Sequence, residues 1–121
     1  MFIVDGNAQQ AECLAQLLGS QGYETRWFRS WSEIPAAAGP LVVLVNLDTV
    51  HTTNRQLMEA GGGKLGVVLL TISSQPYHPE LSQAMQECVF ASLCEPLDTQ
   101  ELLFWLRSAG EVGGGPGGQA P

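Results

Sequence analysis

The sequence predicts an α/β sandwich: a five-stranded parallel sheet with helices on both faces. Two observations carry that reading. Short apolar, β-rich runs alternate with stretches of helical periodicity along most of the chain. Two of those runs, LVVLVNL at 41–47 and GVVLLTI at 66–72, are almost unbroken apolar, as strands are when both faces are covered. The 121 residues, 45 % of them apolar, are enough for one core and one domain.

The strands are expected at Phe2–Val4, Glu24–Phe28, Leu41–Leu47, Gly66–Ile72 and Ala91–Cys94. Between the first two, Ala11, Leu14, Ala15 and Leu18 recur at i, i+3, i+4 and i+7, the period of an amphipathic helix. Asn7 precedes them as its N-cap and Gly22 follows its end. Weaker helical patterns cover Ser32–Ala38 and Thr52–Glu59. Leu81, Ala84, Met85 and Cys88 repeat the helical spacing after Pro79, a residue suited to a first turn because its missing N–H has no partner to lose there. A last helix is expected over Thr99–Ser108, opened by Asp98 with Glu101 three residues on. The remainder, GGGPGGQAP, has neither charge nor apolar periodicity, so a domain is expected over residues 1–111 and a flexible tail or linker over 112–121.

Twelve acidic against five basic side chains give a net charge of −7, which disfavours phosphate backbones and anionic lipid. Nucleic-acid and membrane partners are not expected; a protein partner is. Cys13, Cys88 and Cys94 are too far apart for a metal-ligand or pairing pattern and are expected to be reduced thiols. No apolar run approaches the ~20 residues a bilayer requires, and a cytoplasmic location is expected. His51 and His78 lie in separate loops without the spacing of a metal site. AGGGKLG is not a phosphate loop, because Met58 and Leu65 stand where glycine and a hydroxyl residue are needed. It reads as a turn.

In a sheet of this kind, ligands and chemistry sit beyond the carboxyl ends of the strands. Those ends are Asp5-Gly6-Asn7, Asn46-Leu47-Asp48, Thr71 and Glu95-Pro96. With them the chain resembles the receiver domains of bacterial response regulators and hybrid sensor kinases. FIVDGN…LLGSQGYET is similar to that family's first strand, helix and turn, VVLVNLD to its third strand, VVLLTIS to its fourth, and ASLCEPLD to its fifth strand and cis-proline corner. The resemblance spans residues 1 to about 111. It implies a flavodoxin-like fold with strand order 2-1-3-4-5.

Position by position, the resemblance implies a degenerate phosphorylation pocket made of Asp5, Gly6, Asn46, Thr71 and Glu95. The acidic pair that helps receivers bind Mg²⁺ is here Asp5 and Gly6. The phosphoacceptor aspartate falls on Asn46, whose amide cannot form an acyl phosphate, and the phosphoryl-binding lysine falls on Glu95. Thr71 keeps the hydroxyl that contacts the phosphoryl group, but the small residue after it becomes Ile72. The aromatic switch position of the fifth strand falls on Ser92, and the loop proline on Val50. Neither a metal nor a cofactor is expected: Asp5 alone, even with Asp48, makes a weak Mg²⁺ site, and DGNAQQ lacks the glycine-rich turn of a cofactor-binding α/β protein.

The last helix places five large apolar residues in a row, Leu102 to Leu106. Leu102, Leu106 and Ala109 share one stripe with Leu103 and Trp105 flanking it, and Phe104 points nearly opposite. Phe104, Leu103 and Trp105 are therefore a candidate partner surface, although a single exposed aromatic is also ordinary. By the resemblance, the partner is a sensor kinase or output domain, in the same chain or another, and a homodimer would form through the fourth predicted helix, the fifth strand and the fifth helix. The expected function is a non-enzymatic, non-phosphorylatable pseudo-receiver acting by protein contact. The alternative is an active receiver phosphorylated on Asp48 or Asp5 with Mg²⁺.

Overall fold

The structure, a computed structural model, describes residues 1–35, 41–61, 67–75 and 77–113, of which 110–113 by backbone alone. Five strands, β1 (Phe2–Val4), β2 (Arg26–Phe28), β3 (Leu41–Asn46), β4 (Val67–Ser73) and β5 (Val89–Cys94), form one sheet in the order β2-β1-β3-β4-β5. Every pairing is parallel. The helices are α1 (Ala8–Ser20), α2 (Asn54–Gly61), α3 (Ser82–Glu87) and α4 (Thr99–Gly113).

Alternation along the strands divides the core in two. Ile3, Leu44, Leu70, Ile72 and Leu93 meet Leu14 and Leu18 of α1 and Leu102 and Leu106 of α4 on one face. On the other, Val4, Val43, Val45 and Leu69 meet Leu57 of α2 and Ala84 of α3. The near-continuous apolar runs of β3 and β4 follow from this double coverage.

The ends of α1 lie where residue chemistry puts them. The Asn7 side chain accepts hydrogen bonds from the Gln9 and Gln10 amides at 3.0 and 3.1 Å. Gly22, just past the helix, has φ +93, a conformation that glycine adopts freely. Asp98 caps α4 by accepting from Gln100 N and Glu101 N. Pro79 opens a single 3₁₀ turn, Pro79–Leu81, that leads into α3.

Several expectations are corrected. The helix expected over Ser32–Ala38 is one 3₁₀ turn, Trp31–Glu33, after which Ile34 is extended (φ −77, ψ 126). Pro35 accounts for this, since a following proline excludes the helical region; residues 36–38 of that expectation lie outside the described residues. The helix expected at Thr52–Glu59 begins at Asn54, because Thr53 and Gln56 make a reciprocal capping pair. Strand β2 starts at Arg26, not Glu24, and β3 ends at Asn46, not Leu47. Strand β5 begins two residues early, at Val89: the register shifts between Leu69 and Leu70, so that Phe90 is an extra residue in the ladder. That bulge lets Phe90 and Ala91 both face α4. The last helix, expected to end at Ser108, continues to Gly113, so residues 112–113 of the expected tail are helical; the rest of that tail, 114–121, and most of the turn read at AGGGKLG, 62–66, lie outside the described residues.

Candidate functional site

At the carboxyl end of the sheet, β1 and β3 both stop in the same way. Asp5 Oδ1 accepts from the Asn7 amide at 2.8 Å, and Asn46 Oδ1 accepts from the Asp48 amide at 2.9 Å. Each short polar side chain thus folds back on the backbone two residues ahead, and so ends its strand.

These turns bring Asp5 and Asn46 together with two residues that the pattern of strand ends does not disclose, Gln10 and Thr49. The carboxylate of Asp5 is fully buried, and Asn46 is 2 % exposed. Asn46 Nδ2 donates to Asp5 Oδ2 at 3.3 Å and to Gln10 Oε1 at 3.0 Å, while Gln10 Nε2 donates to Glu95 Oε2 at 3.3 Å. Thr49 Oγ1 donates to Asp5 Oδ1 at 2.8 Å and accepts from the Gly6 amide at 2.9 Å. Trp27 Nε1 donates to the Asp5 carbonyl at 2.7 Å, closing the side toward β2. Two acidic residues are therefore joined by neutral amides; among the described residues neither has a Lys or Arg ion-pair partner. Gln10 was within reach of sequence reasoning, since the third residue of a helix turns its side chain back toward the helix start. Nothing in the sequence singles out Thr49.

Gly6 has a steric cause. A Cβ there would lie 2.5 Å from the carbonyl oxygen of Thr49, backbone that cannot swing aside. A second acidic side chain cannot be added without moving the loop after β3. With Asp5 already accepting from Asn7, Thr49 and Asn46, the residues present do not fit Mg²⁺, which takes near-octahedral oxygen ligands. Among the described residues no three His, Cys, Asp or Glu side chains converge as a metal site.

The remaining expected site residues are dispersed. Thr71 is buried but belongs to the opposite face of β4 from Ile72, and it donates to Ser92 Oγ at 3.1 Å. It does not join Asp5 and Asn46. Ile72, fully buried, pairs in register with Asn46 and fills the space beside it. Val50 is buried, and its amide donates to Asn46 O. Asp48 turns away from the cluster, accepting from Ser73 Oγ at 3.2 Å and Ser74 N at 2.7 Å. The peptide bond between Glu95 and Pro96 is cis.

Of the candidate partner surface, Phe104 is 56 % exposed, while Leu103 is 6 % exposed and belongs to the core. Leu103 is thus unavailable to a partner. Trp105 is half-buried and lies edge-on to both Phe90 and Phe104, with ring centroids 5.8 and 5.1 Å away.

Neither a protein-family model nor a curated protein matches the sequence. Solved structures do match the fold. The signal receiver domain of an HD domain-containing protein from Pseudomonas fluorescens superposes with TM-score 0.78 at 20% identity, over 95% of this chain and 96% of that one. A response regulator protein from Burkholderia pseudomallei, solved with a phosphorylated aspartic acid, matches with TM-score 0.71 at 18% identity, over 99% of this chain and 74% of its own. NtrX from Brucella abortus matches at 0.72 and 17% identity over 93% of this chain, which spans only 27% of NtrX. Strand order, parallel pairing and these superpositions together give this chain the flavodoxin-like fold of receiver domains.

Proposed function

We propose that this chain is a receiver-fold module of two-component-type signalling that works without phosphorylation, a pseudo-receiver whose output is contact with a protein partner. The observation that carries this reading is the state of Asn46. By the resemblance its amide takes the position of the phosphoacceptor carboxylate, and it is buried with its nitrogen and oxygen both engaged. An amide is a poor nucleophile, and Glu95 rather than an ammonium borders the cluster, so a phosphoryl group would meet like charge. The alternative acceptors fare no better: Asp5 is fully buried, and both oxygens of Asp48 are held by Ser73 and Ser74.

The proposed partner is a sensor kinase or an output domain, in the same polypeptide or another, and the proposed contact includes Phe104 with Trp105. The net charge of −7 favours a partner with a cationic face over nucleic acid. The deciding experiment is a two-dimensional NMR titration with Mg²⁺ followed by beryllofluoride, a mimic of the aspartyl phosphate. The expected result is an unchanged spectrum of a folded protein. Shifts clustered at Asp5, Asp48 and Thr71 that spread into α4 would establish a working phosphoswitch instead.

A further inference from the structure

Away from the Asp5 and Asn46 cluster, on the other face of the sheet, a cavity of about 210 Å³ opens between β4, β5 and α3. Thr71, Ser73, His78, Met85, Ser92 and Leu93 line it. We infer that this cavity is a binding site for a small, uncharged, single-ring aromatic molecule carrying a carbonyl acceptor.

Three features select that chemistry. The volume suits one ring: apolar cavities of about 150 Å³ already hold benzene. The walls are built rather than loose. Ser73 is 4 % exposed, accepts from Gln75 N at 3.0 Å and sits 2.8 Å from His78 Nε2, so the hydroxyl and the imidazole fix each other. Thr71 is likewise buried and committed to Ser92.

The third feature is a weakly engaged donor at the exposed rim of the cavity, Ser92. Ser92 Oγ accepts from Thr71, and its own proton points to the thioether of Met85 at 3.5 Å, a weak acceptor. A ligand carbonyl would replace that sulfur with a strong acceptor, which gives the pocket a preference among ring compounds. Charge then narrows the class further. Among the described residues no Lys, Arg, Asp or Glu lines the cavity, but carboxylates stand just behind it. Asp48 accepts from Ser73, and Glu80 lies 3.8 Å from His78 Nδ1. Among the described residues only His78 in the wall can become a cation, and it already faces Glu80, so an anion would meet more negative than positive charge there.

Benzamide and benzoate share the ring and a carbonyl-type acceptor and differ in charge and in the amide N–H donors. In parallel NMR titrations of the full chain, benzamide is expected to give saturable shifts at Thr71, Ser73, Met85 and Leu93 in the millimolar range, as befits so few heavy atoms. Benzoate is expected to give none. Ser92→Phe fills the cavity and abolishes the benzamide shifts. Ser92→Ala, which removes only the donor, weakens binding roughly fivefold, the equivalent of one neutral hydrogen bond. Silence with benzamide overturns the inference, as does equal binding of benzoate or undiminished binding in both variants. The titration needs neither Mg²⁺ nor beryllofluoride, so its result is independent of whether the protein is phosphorylated.

Discussion

At the residue scale, the informative substitution is the one that restores a carboxylate. In Asn46→Asp, the donor that now holds Asp5 Oδ2 at 3.3 Å becomes a second acid in a buried site that has no ion-paired cation among the described residues. Like charges at that distance cannot both be ionised cheaply, so the folded protein would hold a proton that the unfolded chain releases near the ordinary carboxylate value of roughly 4. The folded state then binds more protons than the unfolded state, and stability falls as pH rises above that value. With divalent metal chelated, the variant is expected to lose about 1–3 kcal/mol relative to the parent at pH 7 and less at pH 4. Urea unfolding at both pH values measures this. Equal stability of variant and parent at pH 7 would mean that the cluster tolerates a second carboxylate and that Asn46 is not held in place by electrostatics.

At the element scale, much of the architecture was legible because its signals are local. Periodicity, the Asn7 cap, Gly22 past the end of α1 and Pro79 each act within a turn of the residue that carries them. What was not legible depends on neighbours in space. The bulge at Phe90 exists because β4 and α4 lie beside it, and the burial of Leu103 depends on where the helix stripe meets the sheet. The site divides in the same way. Asp5 and Asn46 could be read from strand ends, but the separation of Thr71 from them follows from the pleat, and Thr49 enters through a contact 44 residues away in sequence. For α4, exposure singles out Phe104. Its ring covers Trp105 but no core residue of the sheet, so Phe104→Ala is expected to leave the unfolding free energy within about 0.5 kcal/mol of the parent, as at other surface positions. Its effect belongs to association, where a truncated aromatic anchor typically costs 1 kcal/mol or more, roughly. Sedimentation velocity and partner titration check it, and unchanged self-association together with unchanged partner affinity would remove Phe104 from the proposed surface.

At the scale of the whole molecule, the two cores share one sheet, and each depends on helices supplied from distant parts of the chain. Ile3 of β1 and Leu102, Leu106 and Ala109 of α4 are buried at opposite ends of the sequence, all at 2 % exposure or less. The domain is therefore closed by its last helix, and the boundary proposed at residue 111 can be tested by shortening the chain from that end. Ending at 111 keeps every buried residue named here, so the unfolding midpoint is expected to match that of the full chain. Ending at 101 removes Leu102, Leu103, Leu106 and Ala109 and uncovers the β4 and β5 residues of that face, Leu70, Ala91 and Leu93. Truncating one buried leucine to alanine costs about 2–5 kcal/mol, so losing three exceeds the whole stability of roughly 5–15 kcal/mol typical of such a domain once the uncovered sheet face is added. The shorter chain is expected to lack a cooperative transition by circular dichroism. Because α4 runs to Gly113, a lower midpoint at 111 that is restored by ending at 113 would move the boundary to the end of the helix, and one restored only by the full chain would make the glycine-rich segment more than a linker.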